Sequence, residues 1–229
     1  MRILGLITAR GGSKGLPGKN MVLLGGIPLL EYTFKDSSAV DGLDTILLST
    51  DMPDAMALVR EKYPRIEVPF VRPETLGEDS SSHGDVVMHA LDFMEQQGRM
   101  YDAVVLLQPT SPFRKVAELE AGVQMLRDGA ESVIGVSKVW HHPAEYLYQG
   151  EDGKLKFLLP EMAGKRRQEY PEMYFDNGAF YGFTTRFFRQ RGRFFNDESQ
   201  LLMMSEKSLI DIDTPFDLAA ASGILGLNK

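Results

Sequence analysis

The stretch Thr8-Ala-Arg-Gly-Gly-Ser-Lys-Gly-Leu-Pro-Gly-Lys-Asn20 sets three cations, Arg10, Lys14 and Lys19, among Gly11, Gly12, Gly15 and Gly18. Missing side chains let backbone N–H groups approach an anion, and the cations supply counter-charge. The chemistry this composition serves is phosphate binding, with Ser13 and Asn20 as further polar groups. Two better-known phosphate loops are excluded by spacing. A P-loop requires G-x-x-x-x-G-K-[ST], whereas Gly18-Lys19 is followed by Asn20 and the residue five before Gly18 is Ser13. No glycines fit G-x-G-x-x-G, and Pro17 would interrupt a helix starting there. The plain alternative is a solvated turn after an edge strand. The density of glycine and charge favours a basic loop for nucleotide phosphates at the carboxyl end of a first strand.

A second candidate closes the chain, in Ser208-Leu-Ile-Asp-Ile-Asp-Thr-Pro-Phe-Asp217. In an extended segment Asp211 and Asp213 share one face, about 7 Å apart at roughly 3.3 Å per residue. Two carboxylates that close call for a cation, and a hard, oxygen-ligated Mg²⁺ held partly by phosphates fits, with Mn²⁺ as the other choice. Helix capping by Asp213 or Thr214 before Pro215 is the competing explanation for one of them, and it leaves Asp211 unexplained.

Polar groups between these two stretches can read a nucleoside. Arg72 and the run Asp79-Ser-Ser-Ser82 precede a helix that begins near Gly84. The serines cap that helix or, with the arginine, offer donors to a base. Gln108 closes an apolar run and is held between Pro109 and Pro112 together with Thr110 and Ser111. Its amide satisfies loop backbone or reads a ribose or base edge.

These groups need a scaffold that brings them to one edge. Ile3–Ile7, Ile46–Leu48 and Val104–Leu107 are short continuous apolar runs, as in strands buried on both faces. Helical spacing recurs between them, at Leu29–Lys35, Ala55–Lys62 and Val86–Gln97. Alternation of this kind predicts an α/β, Rossmann-like, mostly parallel sheet with helices on both faces. Thr8-Ala9-Arg10, Ser49-Thr50-Asp51 and Gln108–Ser111 then gather at its carboxyl edge, where such sheets bind ligands. From Lys138 to Tyr174 the character changes. His141-His142, Tyr146, Tyr148 and the Gly150–Gly153 turn suggest a hairpin arm whose aromatics need a partner subunit or serve as a lid. Adjacent histidines on an extended segment point to opposite sides, which argues against a metal pair. Asn177–Gly182 returns as a strand with Tyr181 directed into the site or the arm, and helix formers run from Thr185 to Arg193.

The 229 residues, 43% hydrophobic, suit a single domain over 1–229 with 138–174 as an excursion. A net charge of −7 argues against a general nucleic-acid or membrane-surface partner, so the basic loop is a local device. The chain has no cysteine, which removes disulfides, thiolate metal sites and cysteine nucleophiles and accords with a cytoplasmic location. No segment approaches the ~18 apolar residues of a membrane span, and the apolar run after Arg2 is too short for a signal sequence.

Taken in order, the glycine-rich loop with Lys19-Asn20, Arg72 with its serines, Gln108-Pro-Thr-Ser-Pro112, Arg167-Gln168, Asn177-Gly-Ala-Phe-Tyr181 and Ile210-Asp-Ile-Asp213 resemble the acylneuraminate cytidylyltransferases, from end to end. The resemblance implies CTP, Mg²⁺ and a homodimer whose arm reaches over the partner's site. The implied reaction joins CTP to a nine-carbon 2-keto sugar acid and releases pyrophosphate. Carried over by position, Arg10, Gly11, Gly12, Ser13, Lys14 and Lys19 hold the triphosphate, and Asn20, Arg72, Ser82 and Gln108 contact the cytidine. Asp211 and Asp213 match the metal pair, while Gln108, Arg167, Gln168 and Tyr181 match positions for the sugar acid. Catalysis falls to Lys19, Asp211 and Asp213, with Asp211 or the metal assisting deprotonation of the sugar hydroxyl. The 3-deoxy-manno-octulosonate cytidylyltransferases share the scaffold, but Gly-Gly-Ser-Lys-Gly15 and Lys19-Asn20 favour the nine-carbon group. A binding module without turnover is a reading from another class, opposed by the intact aspartate pair. Tyr170 stands where the sialate enzymes often carry leucine, which leaves N-acetylneuraminate, legionaminate and pseudaminate open.

Overall fold

Seven consecutive buried residues, Ile3–Ala9, form strand β1, an interior strand of the main sheet. The computed structural model describes residues 1–78 and 81–226. After β1 come β2 (Leu23–Leu24), β3 (Ile27–Pro28), α1 (Leu29–Ala39), β4 (Thr45–Thr50), α2 (Pro53–Lys62), β5 (Ile66–Glu67) and α3 (His83–Gln96). They are followed by β6 (Ala103–Leu107), α4 (Val116–Arg127), β7 (Ser132–Lys138), β8 (Leu147–Gln149) and β9 (Leu155–Phe157). The chain closes with β10 (Tyr174–Thr184), α5 (Thr185–Arg191), β11 (Gln200–Met203) and α6 (Pro215–Gly226).

Among the described residues the main sheet has seven strands in the order β11-β7-β10-β6-β1-β4-β5. Of these, β10 runs antiparallel to its neighbours, β6 and β7; the other pairings are parallel. This is the mostly parallel α/β sheet that the sequence predicts. Alternation along each strand divides the core. Ile3, Ile7, Ile46, Leu48 and Val105 face Leu30 and Phe34 of α1, Val59 of α2 and Leu119 and Val123 of α4. Leu4, Leu6, Leu47, Val104 and Leu106 face Val87, Leu91 and Met94 of α3 and Phe187 and Phe188 of α5. Helices therefore cover both faces, and the polar ends of β1, β4 and β6 are left to form a common edge.

Two local features shape that edge. The pairing of β10 with β7 shifts register between Asp176 and Tyr181, where Gly178 adopts φ +67°, a conformation that a side chain would strain. The bulge lets the Tyr181 hydroxyl reach back to donate to both carboxylate oxygens of Asp176 at 2.9 Å. A third apolar cluster of Leu24, Leu29, Ile210, Ile212 and Ala221, with Leu16 packed against it, anchors the glycine-rich loop and the closing segment to the same base.

The arm is a short hairpin in which Leu147 pairs with Phe157 and Gln149 with Leu155. Tyr146, Leu147, Tyr148, Leu155 and Phe157 are all exposed. His142 is spent locally: its Nδ1 accepts from the Ala144 N–H at 3.1 Å and its ring stacks on Tyr170 at 4.7 Å.

Candidate active site

A cavity of about 620 Å³ opens at the carboxyl ends of β1 and β6. Its lining joins Arg10, Ser13, Lys14, Lys19 and Asn20 from the glycine-rich loop to Arg72, Gln108, Asp211 and Asp213. Residues from four separated stretches thus meet in one space; of the strand ends expected at this edge, those of β1 and β6 line it, while Ser49, Thr50 and Asp51 after β4 do not.

The loop is held from three sides. Buried Asn20 donates from Nδ2 to the Arg10 carbonyl at 2.9 Å, which closes the loop on itself. The Gly11 N–H donates to Asp51 Oδ1 at 2.9 Å. At Gly15 the backbone lies so near the closing segment that a Cβ there would stand 2.6 Å from the Asp213 carbonyl oxygen. Lys19 completes the contact, its Nζ lying 2.5 Å from Asp213 Oδ1. Gly11 and Gly12 do not line the cavity; a Cβ on Gly12 would meet nothing within 4 Å.

In the closing segment buried Ile210 and Ile212 alternate with exposed Asp211 and Asp213, so that both carboxylates open to the cavity. The Ile212 N–H donates to the Thr110 carbonyl at 2.9 Å and ties this segment to the turn after β6. Crowding by protein raises the Asp211 pKa above the ordinary carboxylate value, with Asp213 and Asp217 adding to the rise and Thr110 and Lys19 opposing it. Capping of α6 falls to Thr214 and Asp217: Asp217 Oδ2 accepts from the Thr214 N–H at 2.8 Å and the Asp213 N–H at 3.1 Å. Helix capping therefore accounts for neither Asp211 nor the Asp213 carboxylate.

Arg72 is buried against β4, its Nε donating to Ser49 Oγ at 3.0 Å and its Nη2 to the Ser49 carbonyl. Burial lowers its pKa to about 10, with nearby Asp51 opposing and Arg10 reinforcing the fall, so that it stays a cation at neutral pH. Ser82 takes the capping role. Its Oγ accepts from the Asp85 N–H at 3.1 Å, and its own N–H donates to the Asp85 carboxylate at 3.2 Å. Ser81 and His83 line the cavity in its place. Asp79 and Ser80 lie outside the described residues.

Tyr181 lines a second cavity of about 350 Å³, which shares Gln108 and Asp211 with the first. Its hydroxyl pKa is pushed far up by burial and by the Asp176 carboxylate. Arg167 and Gln168 lie elsewhere. Arg167 pairs with Glu145 at 2.8 Å in a pocket within the arm, and Gln168 lines none of these cavities. One chain therefore does not bring its own Arg167 and Gln168 to Gln108 and Tyr181.

Two residues matter here that sequence reasoning did not single out. His83, the first residue of α3, places its Nδ1 3.3 Å from Gln108 Nε2. Arg114, buried, donates to the carbonyls of Gln108, Ser111 and Ala179 and to Thr33 Oγ1, so that one guanidinium holds the turn after β6 against β10 and α1. A histidine directly after a serine run and an arginine ending a proline-stiffened turn were the available signals.

The family model described as cytidylyltransferase matches residues 4–216. CMP-N,N'-diacetyllegionaminic acid synthase of Legionella pneumophila is 35% identical, the match covering 100% of this chain and 98% of that protein. Pseudaminic acid cytidylyltransferase of Campylobacter jejuni is 28% identical, with 100% and 98% covered. Among solved structures, CMP:2-keto-3-deoxy-manno-octonic acid synthetase in complex with CTP superposes with a TM-score of 0.70 at 15% identity, over 100% of both chains, a likeness of fold. A match across nearly the whole chain, on a sheet whose carboxyl edge gathers the basic loop and the aspartate pair, shows that the chain belongs to the cytidylyltransferase family and is a nucleotidyltransferase.

Proposed function

We propose that the protein transfers CMP from CTP to the anomeric hydroxyl of a nine-carbon 2-keto sugar acid and releases pyrophosphate. The observation that carries this reading is the pair of adjoining cavities that share Gln108 and Asp211. One holds the cations suited to a triphosphate and the other the space for an acceptor.

The hydroxyl attacks the α-phosphorus in line, forming the sugar–phosphate bond as the bond to the β-phosphate oxygen breaks. Arg10, Lys14 and Lys19 take up the charge that develops on pyrophosphate, while Asn20 and Arg72 orient the cytidine. Asp211, which lines both cavities, is placed to accept the proton from the hydroxyl. The donor set suits a hard divalent cation: Asp211 and Asp213 open side by side to the cavity, and repulsion from Asp213 contributes to the raised pKa of Asp211. Mg²⁺, or Mn²⁺, held by Asp211 and Asp213 would supply further neutralisation of phosphate charge.

The exposed aromatics of the arm over 138–174 support a homodimer, and an arm lying over a neighbouring subunit would carry Arg167 and Gln168 to that subunit's second cavity. Arg167 then has the bidentate geometry for the sugar carboxylate. We assign the protein to the cytoplasm, with which a chain free of cysteine accords. Separately, no helix among the described residues is long and apolar enough to cross a membrane.

The test is pyrophosphate release from CTP with N-acetylneuraminate, legionaminate, pseudaminate and 3-deoxy-manno-octulosonate, against the other nucleoside triphosphates. Release with a nine-carbon acid and CTP is the expected result. Activity with the octulosonate alone would reassign the substrate, and tight CTP binding without release from any acid would leave a binding module.

A further inference from the structure

Gln108 stands on the wall between the two cavities with its backbone immobilised. Its carbonyl accepts from Arg114, and Pro109 follows it. Only the side-chain amide is left to choose an orientation, and the two ends of an amide offer opposite hydrogen-bonding character. On one side Nε2 lies 3.3 Å from His83 Nδ1, and of the two cavities His83 lines the first. On the other, Oε1 lies where a Cβ on Gly178 would come within 3.3 Å, so that the missing side chain leaves room for this oxygen in the second cavity.

We propose that His83 is a positioning residue: by accepting from Gln108 Nε2 at Nδ1, it turns Gln108 Oε1 into the second cavity as a hydrogen-bond acceptor for a hydroxyl or amide N–H of the sugar acid. The inference rests on the cytidylyltransferase reading and adds to it a determinant of sugar affinity. The surroundings favour the required lone pair. Burial, then Arg72, Arg10 and Lys19, lower the His83 pKa and keep the ring neutral. With the proton on Nε2, Nδ1 is an acceptor, and the Gln108 amide has one favoured orientation instead of two.

Steady-state kinetics of the full-length protein test this with the sugar acid that supports turnover. His83→Leu removes the acceptor and is expected to raise KM for the sugar about five- to tenfold, the worth of one net hydrogen bond, with KM for CTP changed less than about twofold. His83→Asn, whose Oδ1 can occupy the place of Nδ1, is expected to restore most of the sugar affinity. In a Gln108→Ala background, His83→Leu should have no further effect. Equal changes in both KM values, or an undiminished effect in the Gln108→Ala background, would overturn the proposal by showing that His83 acts on the nucleotide or the sugar directly. A wild-type protein inactive with every sugar would instead overturn the functional reading, and active wild type with an unaffected His83→Leu variant would overturn this inference alone.

Discussion

Lys19 Nζ and Asp213 Oδ1 lie 2.5 Å apart although 194 residues separate them in the chain. The ammonium is held at the mouth of the glycine-rich loop by a carboxylate from the closing segment, with Gly15 packed against the same aspartate's backbone. On the proposed function this pair positions the charge for the triphosphate before the nucleotide arrives, which lowers the ordering that binding demands.

Lys19→Ala is expected to weaken CTP binding about 10- to 100-fold, the range for losing a charge-assisted hydrogen bond, and CMP binding less than about threefold. Calorimetric titration with the two nucleotides checks this. Equal losses for both would show that Lys19 is not at the distal phosphates.

For Asp211→Ala the expectation is CTP affinity within about tenfold of wild type and turnover reduced at least about a hundredfold, because the carboxylate acts mainly in the transition state. Equilibrium binding and single-turnover rates separate the two effects. Undiminished turnover would remove Asp211 from the mechanism.

Gly15→Ala forces a Cβ to within 2.6 Å of the Asp213 carbonyl oxygen, so the loop and the closing segment must part. We expect a fall in thermal stability of about 1–3 kcal/mol, the usual cost of overpacking, and weaker CTP binding. At Gly12, where a Cβ would meet nothing within 4 Å, alanine should leave the melting temperature unchanged. Thermal melts of the two variants side by side decide the matter.

Asp36 is the source of a pH dependence. Burial raises its pKa from 3.8 to about 6 despite the opposing charges of Arg114 and Lys35. A folded-state pKa above the unfolded one contributes stability that is fully present below pH 3.8 and lost as pH rises through about 6. The neutral Asp36→Asn variant should therefore gain on wild type as pH rises from about 4 to about 7, by up to about 3 kcal/mol. Calorimetric melting at several pH values tests it, and a gap that stays constant would show that Asp36 does not titrate in this range.

Much of the scaffold is legible in the residue pattern because β1, β4 and β6 are buried on both faces and read as unbroken apolar runs. The helices between them show their period for the same reason. The segment from Val116 to Lys138, which forms α4 and β7, carries no comparable contrast: Ala117, Gly122, Gly135 and Ser137 dilute its pattern. Those small residues are explained only by packing, since Gly122 and Gly135 make room for the Phe180 ring and its Cβ. The direction of β10 was equally hidden, because strand polarity depends on which neighbour the chain reaches and not on local composition.

By itself the sequence determined the chemistry on offer: a loop rich in glycine and cations, an aspartate pair on one face of an extended segment, and a glutamine held between prolines. Residue type and short spacing suffice for these, since they follow from covalent geometry and charge. Only the tertiary structure decided how these groups are shared out. Ser82 became a cap while His83 faced the cavity, Arg114 turned inward to hold the wall, and Arg167 stayed in the arm beside Glu145. Each of those outcomes depends on which distant backbone group or charge comes within hydrogen-bond reach, and the packing of the sheet brings those partners together.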